Sequence, residues 1–406
     1  MQTSSRIDWS DVRRQFRYNP AYIHLADSQF LSSHPEPVRE AIQRYRDALD
    51  ADPAQYTIRH EKPLGRKARE AIADYFDVGN PDDIALTDSA TMGLGILYTG
   101  LHLRPEDEIV IVRYDHYSHQ ESIRLAANRA GACVREVGVH HDRPHEITRE
   151  AIVREALEEI NDRTRVLGLT WVHSSNGLKV PVADIAEAIR DVNRSRREDN
   201  RLLLVVDGVH GFGIERETFK QLGCDFFVTS LHKWMYGPRG TGFIAASSDA
   251  WQHVSPVIPC YTSIMDDITS GKERPERMSG KQMTPGGFHS LEHRWAIPEA
   301  VAFMRGLGKE EVYSRVHALA LRLKKGLASL PHVTLHTPMA DELSSGIVAF
   351  EADGYSTNEL VAKLLEHKVV ATASPYQRSY ARLTPGIVNT EEEVDRAVEI
   401  VSRLRK

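Results

Sequence analysis

Two short apolar runs, residues 202–206 (LLLVV) and 226–229 (FFVT), are each followed by a chemically committed residue, in the frames LLLVVDGVHGFG and DFFVTSLHKWMYGPRGTG. The first run ends on Asp207 and the second leads to Lys233. Runs this short, β-rich and apolar on both faces suit strands covered by helices on each side. Between them, residues 216–222 read as a short crossover helix closed by Gly223. A strand, helix, strand unit in one sheet is right-handed and parallel. Both strand ends therefore face one crevice, the place where open α/β sheets bind ligands.

A carboxylate and an amine side by side in such a crevice are what pyridoxal 5′-phosphate requires of a protein. The lysine forms a Schiff base with the cofactor and the aspartate pairs with its pyridinium nitrogen. Taken singly, an aspartate after a strand is commonly a turn or capping residue, and a lysine commonly lies on the surface. Lys233, however, sits between His232 and Trp234 behind an apolar strand. Desolvation there would lower its pKa and make it a competent nucleophile and a base or acid at Cα.

Bulk properties exclude other classes. The 406 residues can bury a large core and divide into more than one domain, and 51 basic against 57 acidic residues give a net charge of -6. That mild imbalance is spread along the chain, so neither a nucleic-acid stripe nor a membrane-seeking face stands out. The start, MQTSSRIDWSDVRRQF, has no apolar h-region, and nowhere do 18 apolar residues run together. A soluble cytoplasmic protein is the expectation. Cys133, Cys224 and Cys260 suit neither a disulfide framework nor a zinc site and read as packing thiols. His140, His141 and His145 read as solvated, and His116 with His119 lacks a third ligand, so no metal is expected.

Alternating helical and strand patterns fill roughly the first three quarters, as an α/β sandwich requires. Residues 265–285, rich in charge, Ser and Gly, read as a linker loop, and the proline-rich stretch 256–262 as a candidate subunit contact or crevice cover. After about Ile297 the pattern changes to a long amphipathic helix at 312–330, strands at 346–350, 369–373 and 381–383, a helix at 357–367, and a capping box at Thr390–Glu393 opening a last helix.

The stretch DGVH, followed by SLHKW and GPRGTG, resembles the class V aminotransferase family of fold type I pyridoxal phosphate enzymes, from about Ile23 to the C-terminus. The resemblance implies a large cofactor-binding α/β domain over 23–296, with a mostly parallel, seven-stranded-type sheet flanked by helices. It implies a smaller C-terminal α+β domain over 297–406, with the segment 1–22 packing on it. It also implies a homodimer with active sites at the interface.

Residue by residue, the resemblance makes Ser230 and His232 phosphate ligands and sets His210 against the ring hydroxyl. His116 becomes the residue stacked on the ring and a catalytic candidate beside Lys233, with His119 as the alternative. The phosphate cup falls on Ala90 and Thr91, with Ser89 adjacent, in TDSATMG. Independently, a strand running into a helix N-terminus with hydroxyls is a ready anion site, although Ser and Thr cap helices everywhere. Arg382, in YARLTPG, matches the arginine that grips a substrate carboxylate, which implies an α-amino acid substrate. Thr284 stands in for the hydroxyl that several relatives supply at the position of Phe288 to the neighbouring subunit's phosphate. Ser28, Gln29, Arg59 and Tyr376 are candidates for substrate contact by position alone.

The reaction is less constrained than the cofactor. Cysteine desulfurases need a thiol on a loop that corresponds here to VVATASPYQRSYARL, which has none. The frames TDSATMGLG, DHYSHQES, TWVHSSNGLKVPV and TPGGFHSLEHRWAI look most like the isopenicillin N epimerase-like members, which implies proton exchange at Cα, in secondary metabolism. The residues DGVHGFG and SLHK depart from the best-known epimerases beside the cofactor. A second outcome fits the same residues: reaction with dioxygen and loss of carbon dioxide, as in the monooxygenase-decarboxylases of capuramycin-type nucleoside pathways. Transamination and a non-catalytic binding protein are the remaining alternatives.

Overall fold

The structure, a computed structural model, describes residues 7–138, 147–261, 264–273 and 277–405. Its centre is a seven-stranded sheet in the order Ile84–Thr87, Gly242–Ala246, Phe226–Ser230, Leu203–Asp207, Thr164–Thr170, Glu108–Val112, Cys133–Val137. All neighbours run parallel except Gly242–Ala246, which is antiparallel to both of its partners. Six of the strands are buried along their whole length, and only the edge strand Cys133–Val137 is largely exposed. Burial on both faces is why these strands read as unbroken apolar runs instead of alternating ones.

The two anchor strands are direct neighbours, with Asp207 opposite Val228. The crossover between them is shorter than its sequence suggested. Its helix is only Phe219–Leu222, because Thr218 caps it in a capping box with Gln221, and Gly223 closes it at φ 67°.

A second, four-stranded antiparallel sheet, Thr372–Ala373, Ala381–Leu383, Val348–Ala352, Val333–Leu335, packs against helices Lys309–Ala328, Thr357–Glu366 and Glu391–Arg403. The strand expected at 369–373 is two strands. Val369–Val370 pairs in parallel with Ile23–His24, and Thr372–Ala373 joins the small sheet, so the chain changes partners at Ala371. Near the N-terminus, the Arg13 guanidinium donates to the Val388 carbonyl and to Glu393, while the Phe16 ring packs on Tyr236. The expected linker loop at 265–285 also differs. It holds helices Ile264–Thr269 and Gly280–Met283, the second opened by a Ser279–Gln282 capping box. No helix among the described residues is long and apolar enough to cross a membrane. The three histidines at 140, 141 and 145 lie outside the described residues.

Close packing fixes the turn that follows Asp207. A Cβ on Gly208 would lie 1.9 Å from the Phe227 ring, and the Gly208 N–H is bonded to the Val228 carbonyl at 2.8 Å. Gly208→Ala should therefore destabilise the protein by about 1–3 kcal/mol or more, measured by chemical denaturation. An unchanged midpoint would show that Phe227 has room to move.

Candidate active site

A cavity of about 250 Å³ opens at the carboxyl ends of the anchor strands. Its wall includes Ser89, Ala90, Thr91, His116, Asp207, His210, Ser230, His232, Lys233 and Arg382, ten residues the sequence singled out. Five segments supply them: the turn before helix Ala90–Gly100, the start of helix Tyr117–Ala130, the ends of the two anchor strands, and the small-sheet strand Ala381–Leu383.

The anion end is built from backbone and hydroxyls. Ser89 caps helix Ala90–Gly100, its Oγ accepting from the Met92 N–H at 3.1 Å, and the Ala90 N–H is donated to Ser230 Oγ at 2.7 Å. Ser230, at the end of its strand, is thereby held beside the helix N-terminus, where partial positive charge collects. His232 adds a buried Nδ1 that has no hydrogen-bond partner among the described residues.

The amine end is held in a neutralising environment. Lys233 keeps accessible surface because it lines the cavity, but its ammonium is desolvated. Desolvation lowers it to about 8, the charge of Asp207 opposing the shift and that of Arg382 adding to it. Its Nζ lies 3.0 Å from His210 Nε2, while His210 Nδ1 accepts from the Trp234 indole N–H at 3.3 Å. Burial and the nearby Lys233 push His210 well below its usual range. With Nδ1 accepting, the proton of the neutral ring is on Nε2, and its natural acceptor is the lone pair of an unprotonated Lys233. Asp207, 4% exposed, accepts the Val209 N–H at 3.1 Å through Oδ1.

At the third side stands Arg382, 2% exposed. Its guanidinium donates to Thr372 Oγ1 and to the carbonyls of Ser174 and Ala373, and among the described residues it meets no carboxylate. Burial lowers it to about 10, so it remains charged at neutral pH.

Not every residue singled out from the sequence reaches this wall. His116 is the N-cap of helix Tyr117–Ala130 and lines the cavity, but His119, one turn on, is fully buried. It bonds the Tyr98 hydroxyl at 2.7 Å and lies 3.2 Å from Asp115, so it cannot replace His116. Thr284 lies in a different cavity, its hydroxyl accepting the Leu86 N–H at 3.1 Å. Arg59 is exposed on helix Pro53–Phe76, away from the cavity wall. Ser28 is buried and bonded to Ser32, and only its neighbours Gln29 and Phe30 reach the wall. Tyr376 stands just behind it, 2.5 Å from Ser174 Oγ and edge-on to the His116 ring.

Ser118, Thr170, Ser174, Val209 and Pro375 also line the cavity and were not anticipated. Thr170 was findable, since it ends the strand beside Leu203–Asp207, directly opposite Asp207.

The donor set fits pyridoxal 5′-phosphate. A carboxylate suits the pyridine nitrogen, a desolvated amine the aldehyde carbon, and a helix N-terminus with Ser89, Thr91, Ser230 and the orphaned His232 nitrogen the phosphate. Fold and site together are those of a pyridoxal phosphate-dependent enzyme of fold type I. Residues 25–396 match the family described as Aminotransferase class-V, and the chain belongs to that family. It is 27% identical to isopenicillin N epimerase of Streptomyces clavuligerus over 98% of both chains. The corresponding protein of Amycolatopsis lactamdurans is 26% identical over 98% of this chain and 99% of that one. A probable cysteine desulfurase of Treponema pallidum is 24% identical, covering 94% and 95%. Among solved structures, a C-DES mutant with glycine covalently linked to its cofactor superposes with a TM-score of 0.85 at 22% identity, over 96% of this chain and 99% of that one.

Asp27, on the loop that reaches the cavity, is buried at 7% exposure and accepts the Tyr18 hydroxyl. Burial raises it to about 7 from 3.8, the Tyr18 bond opposing. Between those values the native state binds the extra proton, so this group's contribution to stability falls as pH rises from about 4 to about 7. Asp27→Asn should flatten that fall in a pH series of thermal midpoints. An unchanged slope would assign it to other groups.

Proposed function

We propose that the protein acts on a free α-amino acid, moving the proton at Cα in an epimerase-like reaction. The observation that carries this reading is Arg382, a guanidinium 2% exposed and, among the described residues, without a carboxylate partner, on the same cavity wall as Lys233 and Asp207. A buried, unpaired charge costs several kcal/mol, and a substrate carboxylate is the partner that offsets the cost, bound by the planar fork of the guanidinium. When bound, pyridoxal phosphate supplies an electron sink that weakens the bonds at Cα.

Lys233 is the proton carrier. With a pKa near 8 it gives and takes protons with similar ease at neutral pH, as departure and return of a proton require. Support for epimerisation over sulfur chemistry comes from two sides. The full-length relatives at 27% and 26% identity are isopenicillin N epimerases, and no cysteine lines the cavity among the described residues. Cys224 and Cys260 are buried and Cys133 is exposed on the edge strand. The presence of both Lys233 and Arg382 on the wall argues against a non-catalytic role. We further infer a homodimer, supported by exposed aromatic residues such as Phe30, 66% exposed at the cavity wall, and Phe288, 93% exposed.

Incubating the holoenzyme with single enantiomers, with chiral chromatography, keto-acid assay and an oxygen electrode in parallel, tests the reaction. The expected result is appearance of the other enantiomer alone. Keto-acid formation would replace the reading with transamination, and oxygen uptake with release of carbon dioxide would replace it with oxidative decarboxylation.

Loss of charge-assisted hydrogen bonds to the substrate is worth about 1.5–3 kcal/mol. Arg382→Gln should accordingly lower kcat/KM by roughly 10- to 100-fold, while the visible absorbance of the bound cofactor is retained. An unchanged KM would remove Arg382 from substrate binding.

A further inference from the structure

The loop that reaches the cavity from the N-terminal side holds a buried and tightly constrained turn. Residues 26–29 form a tight turn closed by the Gln29 N–H on the Ala26 carbonyl at 3.3 Å, with Ser28 at φ 66° in the third position. Turns of that kind place glycine there, and a buried serine in the left-handed region is a strained choice that the surroundings must enforce. They do so from both sides. The Ser32 N–H donates to the His232 carbonyl at 2.8 Å and Ser32 Oγ to the Lys233 carbonyl at 2.7 Å. Thr384, two residues beyond Arg382, donates its N–H to the Leu25 carbonyl at 2.6 Å and its hydroxyl to the Asp27 carbonyl at 2.8 Å. The turn is thus fastened to the main chain that carries Lys233 and to the strand that carries Arg382.

What the strained turn delivers is Gln29. It is 4% exposed, it lines the cavity, and among the described residues neither its Nε2 nor its Oε1 has a hydrogen-bond partner. Buried amides left unpaired cost free energy and are rare in native proteins, so an amide held this way at a cavity wall is waiting for a ligand group.

We propose that Gln29 is a specificity-determining residue, and that the substrate is an α-amino acid whose side chain ends in a neutral group that both donates and accepts hydrogen bonds, such as a carboxamide. This rests on the reading that Arg382 takes the α-carboxylate. With Arg382 so engaged, a second carboxylate would meet no free cation among the described residues of this wall. Lys233 is occupied with the cofactor, and burial holds His116, His210 and His232 below their usual range. An aliphatic side chain would leave both Gln29 amide atoms unpaired. A carboxamide satisfies both at once.

The test compares glutamine, glutamate and norleucine, in both enantiomers, as calorimetric ligands of the holoenzyme and its Gln29→Leu and Gln29→Glu variants. Circular dichroism confirms that the variants fold. The wild-type protein should bind glutamine about tenfold or more tightly than the other two. Gln29→Leu should abolish that preference and favour norleucine, and Gln29→Glu should reject glutamate further. Equal affinities in the wild type, or a glutamine preference that survives in Gln29→Leu, would overturn the assignment. If every ligand binds through Arg382 irrespective of residue 29, only this inference fails. If none binds, and Arg382→Gln changes nothing, the amino-acid reading fails with it.

Discussion

The rest of the structure is arranged around one constraint: three ionisable side chains must sit together in a desolvated space. Asp207 and Arg382 are 4% and 2% exposed, and the Lys233 amine is desolvated enough to bring it to about 8. Each would be far less costly in water. The sheet solves the placement problem. Two buried parallel neighbours bring Asp207 and Lys233 to one edge, and the antiparallel strand beyond them runs back to place Gly242 against Ser230 and Thr87. Ser230 can then meet the start of the helix at Ala90.

A rigid edge alone would not form a substrate site. Arg382 comes from the small sheet, and its position is transmitted through main-chain bonds: its guanidinium to the Ser174 carbonyl of the large sheet's loop, and its neighbour Thr384 to the loop at 25–27. Away from the cavity, buried Glu215 adds a second tie. It accepts from Lys179 at 2.6 Å, from Ser345 at 2.5 Å and pairs with His317 at 3.0 Å on the long helix Lys309–Ala328. Positioning of this kind on fixed elements is what a site needs when small displacements are expensive in rate.

The chemistry at the strand ends was legible because it is local. Asp207, Ser230 and Lys233 follow apolar runs whose burial is written in composition, and the helix at Ala90 is announced by Ser89. Elsewhere local pattern does not decide. His116 and His119 both follow a strand and differ by one turn, and only packing against Tyr98 and Asp115 shows that the second is interior. Thr284 was placed by analogy with a two-residue motif that this chain lacks, and within one chain its hydroxyl accepts the Leu86 N–H, away from this cavity, where a contact with a neighbouring subunit's phosphate would have to be made. Thr170 was missed although it obeys the strand-end rule that found Asp207, because it leads into a TWVHSSNG segment with no charged residue to draw notice. The tie between Ser32 and Lys233 spans some two hundred residues and has no local signature.

Lys233 as a desolvated amine poised to hold the cofactor is tested by locating and timing the cofactor's attachment. Apoprotein is mixed with pyridoxal 5′-phosphate at a series of pH values, reduced with borohydride at timed points, digested and mapped by mass spectrometry. The expected product is a single modified peptide containing Lys233, with a capture rate that climbs through about pH 8 as the amine loses its proton. Modification spread over other lysines, or a capture rate insensitive to pH across that range, would contradict it.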